Sequence, residues 1–324
     1  MTSADVVETV EGEAAERVSH PHGGLPDAVT VRPRSAGEAA QIADSGAPTF
    51  VLGMDEELYH SRPELSASRM KTLLTSPKAF QYGERKESRA FDLGHAVHSR
   101  ILGVGLPVVR ITAHLLSGQY QAVQSAAAKD WVAKAKADGK TPLKPAEYEL
   151  TVRASDAVLR HPKARALFER PGESEVSMFA PEPRYGIALR GRADRVGEEL
   201  IDVKTTTKLD TRSLQRVVDD FSYDLSAEVY RLLFELITGQ VAPLMTLVFV
   251  EKAPPYDVRV VRLGDDWIDA GWSKLERALE MFHRCTESGV WPGVDEGDGG
   301  ISELPAPGWL VSSLRQAELE AADL

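Results

Sequence analysis

A single cysteine, Cys285, occurs in the 324 residues, so no internal disulfide is possible and the composition suits a reducing compartment. No run of 18 apolar residues occurs, which excludes a transmembrane helix of the ordinary kind. The start, Met1-Thr2-Ser3-Ala4-Asp5, has neither a basic n-region nor an apolar h-region, so no secretory signal is expected. The expected location is therefore the cytoplasm. No Walker A pattern is present, and no ATP hydrolysis is expected. Internal repeats are also lacking.

What is present is a soluble composition, 43% hydrophobic and 27% charged, long enough for one large domain or two small ones. The net charge of −11 is unevenly spread. Residues 1–60 carry 11 acids and 3 arginines, and residues 295–324 carry 7 acids and one arginine. The body between them holds 31 acids against 34 bases. A mildly basic body between acidic ends permits a local phosphate-binding groove.

Residues 1–48 lack a long periodic apolar pattern and read as an acidic, mostly disordered tail with short helices at most. Helices are expected from Leu65 to before Pro77, over Phe91–Leu102, within 115–137, and over Pro145–Leu167. Strands are expected over about 175–180, 186–196 and 199–205, then a helix over Leu225–Thr238 closed by Gly239. Two further strands flank Pro254-Pro255, and Asp265–Ser288 reads as a last long helix. Residues 310–324 read as a C-terminal tail. Within 49–309, the part 49–170 is expected to be mainly helical and 171–290 to form the α/β core.

Two short segments carry the chemistry: Gly191-Arg192-Ala193-Asp194 and Ile201-Asp202-Val203-Lys204-Thr205-Thr206. On a strand, Asp202 and Lys204 share a face. Gly197-Glu198 is a turn signal, and a hairpin there brings Asp194 close to Asp202. Two carboxylates beside a lysine can hold a hard divalent cation and position a water, the combination that hydrolyses phosphodiesters. An Asp-x-Lys pair is also common on solvated strands. Here, however, it lies between apolar residues, and a third acid, Glu175, stands on the strand-like run Glu175–Phe179 upstream.

The order of motifs resembles PD-(D/E)xK nucleases of the RecB/exonuclease VIII (RecE) type, above all the exonuclease VIII-like enzymes of phages. The resemblance runs from about Tyr59 to about Trp309. It includes Tyr59-His60, Leu65-Ser66-Ala67-Ser68-Arg69-Met70-Lys71, Ser76-Pro77-Lys78-Ala79-Phe80-Gln81-Tyr82 and Gly94-x-x-x-His98. Glu175, Arg190-Gly191-Arg192-Ala193-Asp194 and Asp202-Val203-Lys204-Thr205-Thr206 follow. It implies a restriction-endonuclease-like α/β core, a mixed central sheet flanked by helices, with an N-terminal helical region. It further implies Mg²⁺, with Mn²⁺ as a substitute, held by Asp194, Asp202, Glu175, His98 and the Val203 carbonyl. Glu173 can share the face of Glu175, which fits the family pattern better, and His95 is a neighbour of His98.

Lys204 would orient or activate the attacking water, its pKa depressed if it is desolvated near metals. Arg190 and Arg192 are candidate phosphate contacts. The family's Gln-x-x-x-Tyr motif corresponds to Ser226 and Tyr230, with a serine in place of glutamine. The iron–sulfur relatives carry a cysteine where Ser76 stands, so no such cluster is expected. The implied activity is a DNA exonuclease working from duplex ends, 5′ to 3′, to leave 3′ single strands for recombination. Implied partners are double-stranded DNA ends, an annealing protein of the RecT type and further copies of the chain in a ring, in the cytoplasm of a bacterial host. The rival readings are a structure-specific endonuclease with the same site and a degenerate DNA-binding module.

Overall fold

β-Branched and aliphatic residues dominate Leu200–Thr206 and Met245–Glu251 of the sheet, and helical apolar spacing marks what covers it. The computed structural model describes residues 25–84, 89–118, 122–294, 301 and 303–322. It begins with β1 (Thr30–Val31), α1 (Ala36–Asp44), β2 (Thr49–Val51), α2 (Glu56–Ser61), α3 (Ala67–Thr75), α4 (Pro77–Tyr82) and α5 (Arg89–Leu102). A peripheral part follows: β3 (Val108–Arg110), α6 (Ala126–Ala137), β4 (Thr141–Leu143), α7 (Pro145–Arg160) and α8 (Pro162–Glu169). The remainder comprises β5 (Gly172–Pro181), β6 (Ala188–Gly197), β7 (Leu200–Thr206), α9 (Thr211–Asp220), α10 (Tyr223–Thr238), β8 (Met245–Glu251), β9 (Val258–Arg262), α11 (Asp265–Ser288) and α12 (Gly308–Ala322).

The main sheet has seven strands in the order β1-β2-β5-β6-β7-β8-β9. It is mixed: β1 runs parallel to β2 and β7 parallel to β8, while β5, β6 and β7 form an antiparallel meander. Alternation along the strands splits the core in two. Leu200, Leu247 and Phe249 point to one face, where they pack with Met70 and Leu73 of α3, Leu225 and Leu233 of α10 and Leu275 of α11. Ile201, Val203, Val248 and Val250 point to the other, against Val97 of α5, Val158 of α7 and Leu167 of α8. A mixed sheet flanked by helices is thus the architecture expected from the sequence.

Four expectations differ from the fold. Pro145–Leu167 is two helices rather than one, because Pro162 has no N–H to donate and holds His161 extended at φ −70°, ψ 121°. The stretch 115–137 is helical only from Ala126 onward, apart from a single turn at Ala113–Leu115. Of the mostly disordered tail expected over residues 1–48, residues 25–48 carry one short α-helix and are packed onto the sheet; residues 1–24 lie outside the described residues. Ser35 caps α1 by accepting from the Glu38 N–H, and the Arg34 N–H donates to the Glu38 carboxylate. Ala39 and Ala43 pack against Val51, Met54, Tyr59 and Phe179. The elements are short and their buried residues are alanines, so no apolar stripe betrays them. At the other end, the expected tail is largely the helix α12.

Deleting residues 1–48 is accordingly expected to destabilise the fold. It removes β1 and uncovers Tyr59 and Phe179. A melting temperature lowered by at least about 4 °C is the expected result, since each kcal/mol shifts a domain of this size by about 2–4 °C. An unchanged melt would show that α1 contributes nothing.

Candidate active site

The β6–β7 hairpin forms as the turn signal predicts, but its two strands part early. Arg195 pairs with Ile201 and Val196 with Leu200; the ladder then ends where Asp194 and Asp202 would meet. In the opening, Asp194 Oδ2 accepts the Val203 N–H at 2.6 Å. A carboxylate thus replaces the missing strand partner, and the sheet forks around it. The β5–β6 ladder is perturbed at the same level. Ser174 pairs with Arg195 and Val176 with Ala193, stepping over Glu175 and Asp194. Glu175 has φ 51°, a left-handed conformation that costs a non-glycine residue of order 1 kcal/mol.

The fork is reached from both faces of the sheet. From the α5 side comes His98, whose Nδ1 lies 3.4 Å from Asp194 Oδ2. Among the described residues, His98, Glu175 and Asp194 form a group of metal-ligating side chains whose donor atoms all lie within 4.8 Å of one another. Their electrostatics suit a cation. Burial and the neighbouring Asp194 push the Glu175 carboxyl up to about 7. Burial also works against Asp194, but His98, Lys204 and the Val203 N–H hold it down at about 2. Burial disfavours the charged His98 imidazole, yet Asp194 keeps its pKa above the ordinary value. Two buried carboxylates that resist being ionised together are relieved by a positive ion between them. Two carboxylate oxygens and one imidazole nitrogen are a donor set that fits a divalent metal.

Asp202, expected as a central ligand, stands outside that group. It is 3% exposed, and its carboxylate pairs with the Lys204 ammonium. Burial pushes the Asp202 carboxyl up, partly countered by Lys204. For Lys204, burial acts downward, but Asp202 and Asp194 overcome it and hold the ammonium well above the usual lysine value. The sequence left open whether burial depresses this lysine; in the fold two carboxylates face it, so the charged form is favoured.

From the α3 and α10 side come two groups that sequence reasoning left without a role. Lys71 is pushed down to about 8 by burial and by the charge of Lys204. The Tyr223 ring lies 5.1 Å from the Lys204 Nζ and 5.6 Å from the Lys71 Nζ. The available signal for Lys71 was a lysine flanked by Met70, Leu73 and Leu74 on an otherwise core-facing helix.

The expected DNA contacts are placed differently from one another. Arg190 is 3% exposed; its Nε donates to the Glu64 carbonyl and its guanidinium lies 4.5 Å from the Tyr59 ring centre. Arg192 lies over the same ring at 4.2 Å and donates to Ser177 Oγ and the Met54 carbonyl. Their guanidiniums are held by protein groups instead of facing solvent, because β6 is a central strand whose face is covered by α2 and the segment before it. Ser226 is also buried, and its hydroxyl donates to the Ser222 carbonyl one turn back.

Tyr230 packs on Gly191, where an added Cβ would lie 2.9 Å from the Tyr230 ring and 2.8 Å from a Leu233 methyl. Gly191 is thus a close-approach glycine. Gly191→Ala is expected to lower stability by about 1–3 kcal/mol, as overpacking does. A urea melt with an unchanged midpoint would show that α10 can withdraw from β6 at no cost.

A family of PDDEXK-like domains, described as of unknown function, matches residues 66–297. The sequence matches no curated protein. Among solved structures, the chain is similar to a protein from Eubacterium rectale described as a putative exonuclease, at 14% identity and TM-score 0.53. That similarity covers 81% of this chain and 99% of the other. The fold is therefore an α/β core of the restriction-endonuclease-like kind. The chain belongs to the PDDEXK-like family just described, and with it to the PD-(D/E)xK nuclease superfamily. No helix among the described residues is long and apolar enough to cross a membrane.

Proposed function

We propose that this chain is a metal-dependent DNA exonuclease that hydrolyses phosphodiester bonds from duplex ends. The observation that carries the reading is the fork between β6 and β7, with His98, Glu175 and Asp194 on one side and the Asp202–Lys204 pair on the other. His98, Glu175 and Asp194 would hold Mg²⁺ or Mn²⁺, with Asp202 and the Val203 carbonyl as the remaining candidate ligands. The bound metal supplies charge stabilisation at phosphorus and a water acidic enough to attack.

The chain's own residues do the rest. The Asp194 carboxylate is fixed by the Val203 N–H, so its orientation does not depend on substrate. Asp202 and Asp194 favour the charged form of Lys204, which suits it to orient the water and offset negative charge on the phosphate. Lys71 brings a second ammonium from α3. Tyr230, packed on Gly191, lies at the α10 edge of the site.

The preference for ends rests on the exonuclease VIII resemblance and on the description of the structural relative. By the same resemblance the polarity is 5′ to 3′. The product strand passes to an annealing protein of the RecT type, in the cytoplasm of a bacterial host, and copies of the chain form a ring. The intact Asp194, Asp202 and Lys204 speak against a degenerate module. The test is digestion of end-labelled linear duplex beside covalently closed circles, each with Mg²⁺ and with EDTA. Loss of linear DNA alone, abolished by EDTA, is expected. Cleavage of closed circles at an equal rate would assign an endonuclease, and no cleavage in any metal would overturn the reading.

A further inference from the structure

Next to Lys204, on the face away from His98, Glu175 and Asp194, two aromatic rings lead from the core to solvent. Phe249 of β8 is fully buried, and the Tyr223 ring leans on it at 6.3 Å between centres. Phe221 stacks on Tyr223 at 5.8 Å with the planes 19° apart. Phe221 itself is 57% exposed, so one end of the stack meets solvent. A lone exposed phenylalanine needs no explanation. This one is coupled through a single intervening ring to the two ammonium groups of the site.

The stack exists because the chain is locally forced. Residues two apart on a helix point to different sides. Here Ser222 separates α9 from α10 with φ 47° and ψ 53°, a left-handed conformation unusual for serine. That single residue turns Phe221 and Tyr223 side by side. The joint is pinned: the Phe221 N–H donates to the Val217 carbonyl, the Ser222 N–H to the Asp219 carbonyl, and the Ser226 N–H to the Ser222 carbonyl. The far end of α9 is fixed as well, since Arg259 donates to the Leu209 carbonyl and to Thr211 Oγ1. The backbone that carries the rings is therefore fixed by contacts within the protein.

Charge says which part of a nucleic acid fits. Lys71 and Lys204 attract phosphate. Asp219 and Asp220 immediately precede Phe221; Asp219 pairs with Lys274 at 3.4 Å, and Asp220 leaves an acid next to Phe221 in the chain that disfavours phosphate there. What a ring in that position can receive is the flat face of a base. Inside a duplex both faces of a base are occupied by its neighbours, so only a terminal or unpaired base can accept the ring. Stacking on an aromatic side chain tolerates every base, since each has a π-face.

We propose that Phe221, backed by Tyr223, is a nucleobase-stacking platform that seats an unpaired base beside the phosphate held at Lys71 and Lys204. The proposal rests on the nuclease reading and deepens it. It makes end recognition depend on one exposed ring, and it requires the terminal pair to open before cleavage.

The test uses the full chain in Ca²⁺ without Mg²⁺, with short duplexes carrying a single-strand overhang. Binding is measured for the wild type, Phe221→Ala and Phe221→Trp. A parallel set of duplexes carries an abasic residue at each of the first three nucleotides from the end. Phe221→Ala is expected to raise Kd about tenfold on intact DNA, in line with the loss of one base–aromatic stack. For one abasic position, wild type and Phe221→Ala are expected to bind equally, and Phe221→Trp to restore wild-type affinity on intact DNA. A 2-aminopurine at that position should be quenched by the wild type and not by Phe221→Ala. Equal Kd for wild type and Phe221→Ala on intact DNA overturns the platform, as does the same loss at every abasic position. Digestion of linear DNA by the wild type in Mg²⁺ is run alongside. Digestion with an indifferent Phe221 sinks this inference alone, whereas absence of both binding and digestion sinks the nuclease reading with it.

Discussion

Asp194→Asn is expected to lower hydrolysis of linear duplex DNA by a factor of about a thousand or more. The side chain joins three functions at one point: it lies in the ligand group with His98 and Glu175, it faces Lys204, and it closes the fork by accepting the Val203 N–H. Asparagine keeps an oxygen for that N–H and nearly the same shape, so the fork should survive. What disappears is the charge. Losing a charged metal ligand costs roughly 4 kcal/mol or more of transition-state stabilisation, and each 1.36 kcal/mol is tenfold in rate.

The same change has a signature that does not depend on activity. Asp194 holds His98 above its ordinary value, so the His98 resonance should titrate at lower pH in the variant. The stability sign also follows. A carboxyl held at about 2 in the fold contributes stability that is present above its ordinary value near 4 and is lost as pH falls through about 2. The variant should lack that acid-side loss. Retention of more than about a tenth of wild-type activity, with folding confirmed by a thermal melt, would remove Asp194 from the site.

Glu175→Gln is expected to pull activity and stability in opposite directions. Burial and Asp194 push the Glu175 carboxyl up to about 7. Its folded pKa lies above the unfolded one, so the folded protein binds the extra proton between pH 4.5 and 7. Stability therefore falls as pH rises through that window, and the whole penalty is present above pH 7. Glutamine carries no such penalty. In EDTA at pH 8 the variant should melt several degrees higher than wild type, reflecting on the order of 2 kcal/mol, and near pH 4 the two should coincide. Hydrolysis in Mg²⁺ should drop about a hundredfold or more, since a neutral amide is a poor magnesium ligand. Added Mg²⁺ should raise the wild-type melt more than that of the variant. A variant that melts lower than wild type at pH 8 in EDTA would show that Glu175 is a satisfied structural acid. The left-handed backbone at Glu175, beside the stepped-over pair of carboxylates, is a strained position of the kind that functional sites hold, and it supports the ligand role.

Much of this site was legible in the chain before folding. Strand period two put Asp202 and Lys204 on one side, and the turn at Gly197-Glu198 brought Asp194 beside them; β6, β7 and their antiparallel register bear this out. Leu225, Val229, Leu232, Leu233 and Leu236 marked α10 by their spacing, and α10 is where that spacing lies. Such patterns are local: they need only the backbone period and a solvent to exclude apolar groups. By contrast, α1 and β1 carried no such pattern, because two alanines suffice to fill the space beside Tyr59 and Phe179.

What only the tertiary structure decided is which neighbours each polar group receives. Sequence alone left Arg190 and Arg192 as strand charges equally suited to solvent or phosphate. Folding lays Tyr59 between them, and their donors turn to carbonyls and a hydroxyl. For Lys204 the sequence could not give the direction of its pKa shift; two carboxylates from separate strands outweigh burial and raise it. Lys71 and Tyr223 join the site from α3 and α10, about 150 residues apart in the chain, because the fork between β6 and β7 opens to both faces of the sheet. The periodicity of a segment fixes which side each residue takes. The charge and hydrogen-bonding state of that residue depends on what the rest of the chain packs there, and a field from distant segments has no trace in local sequence.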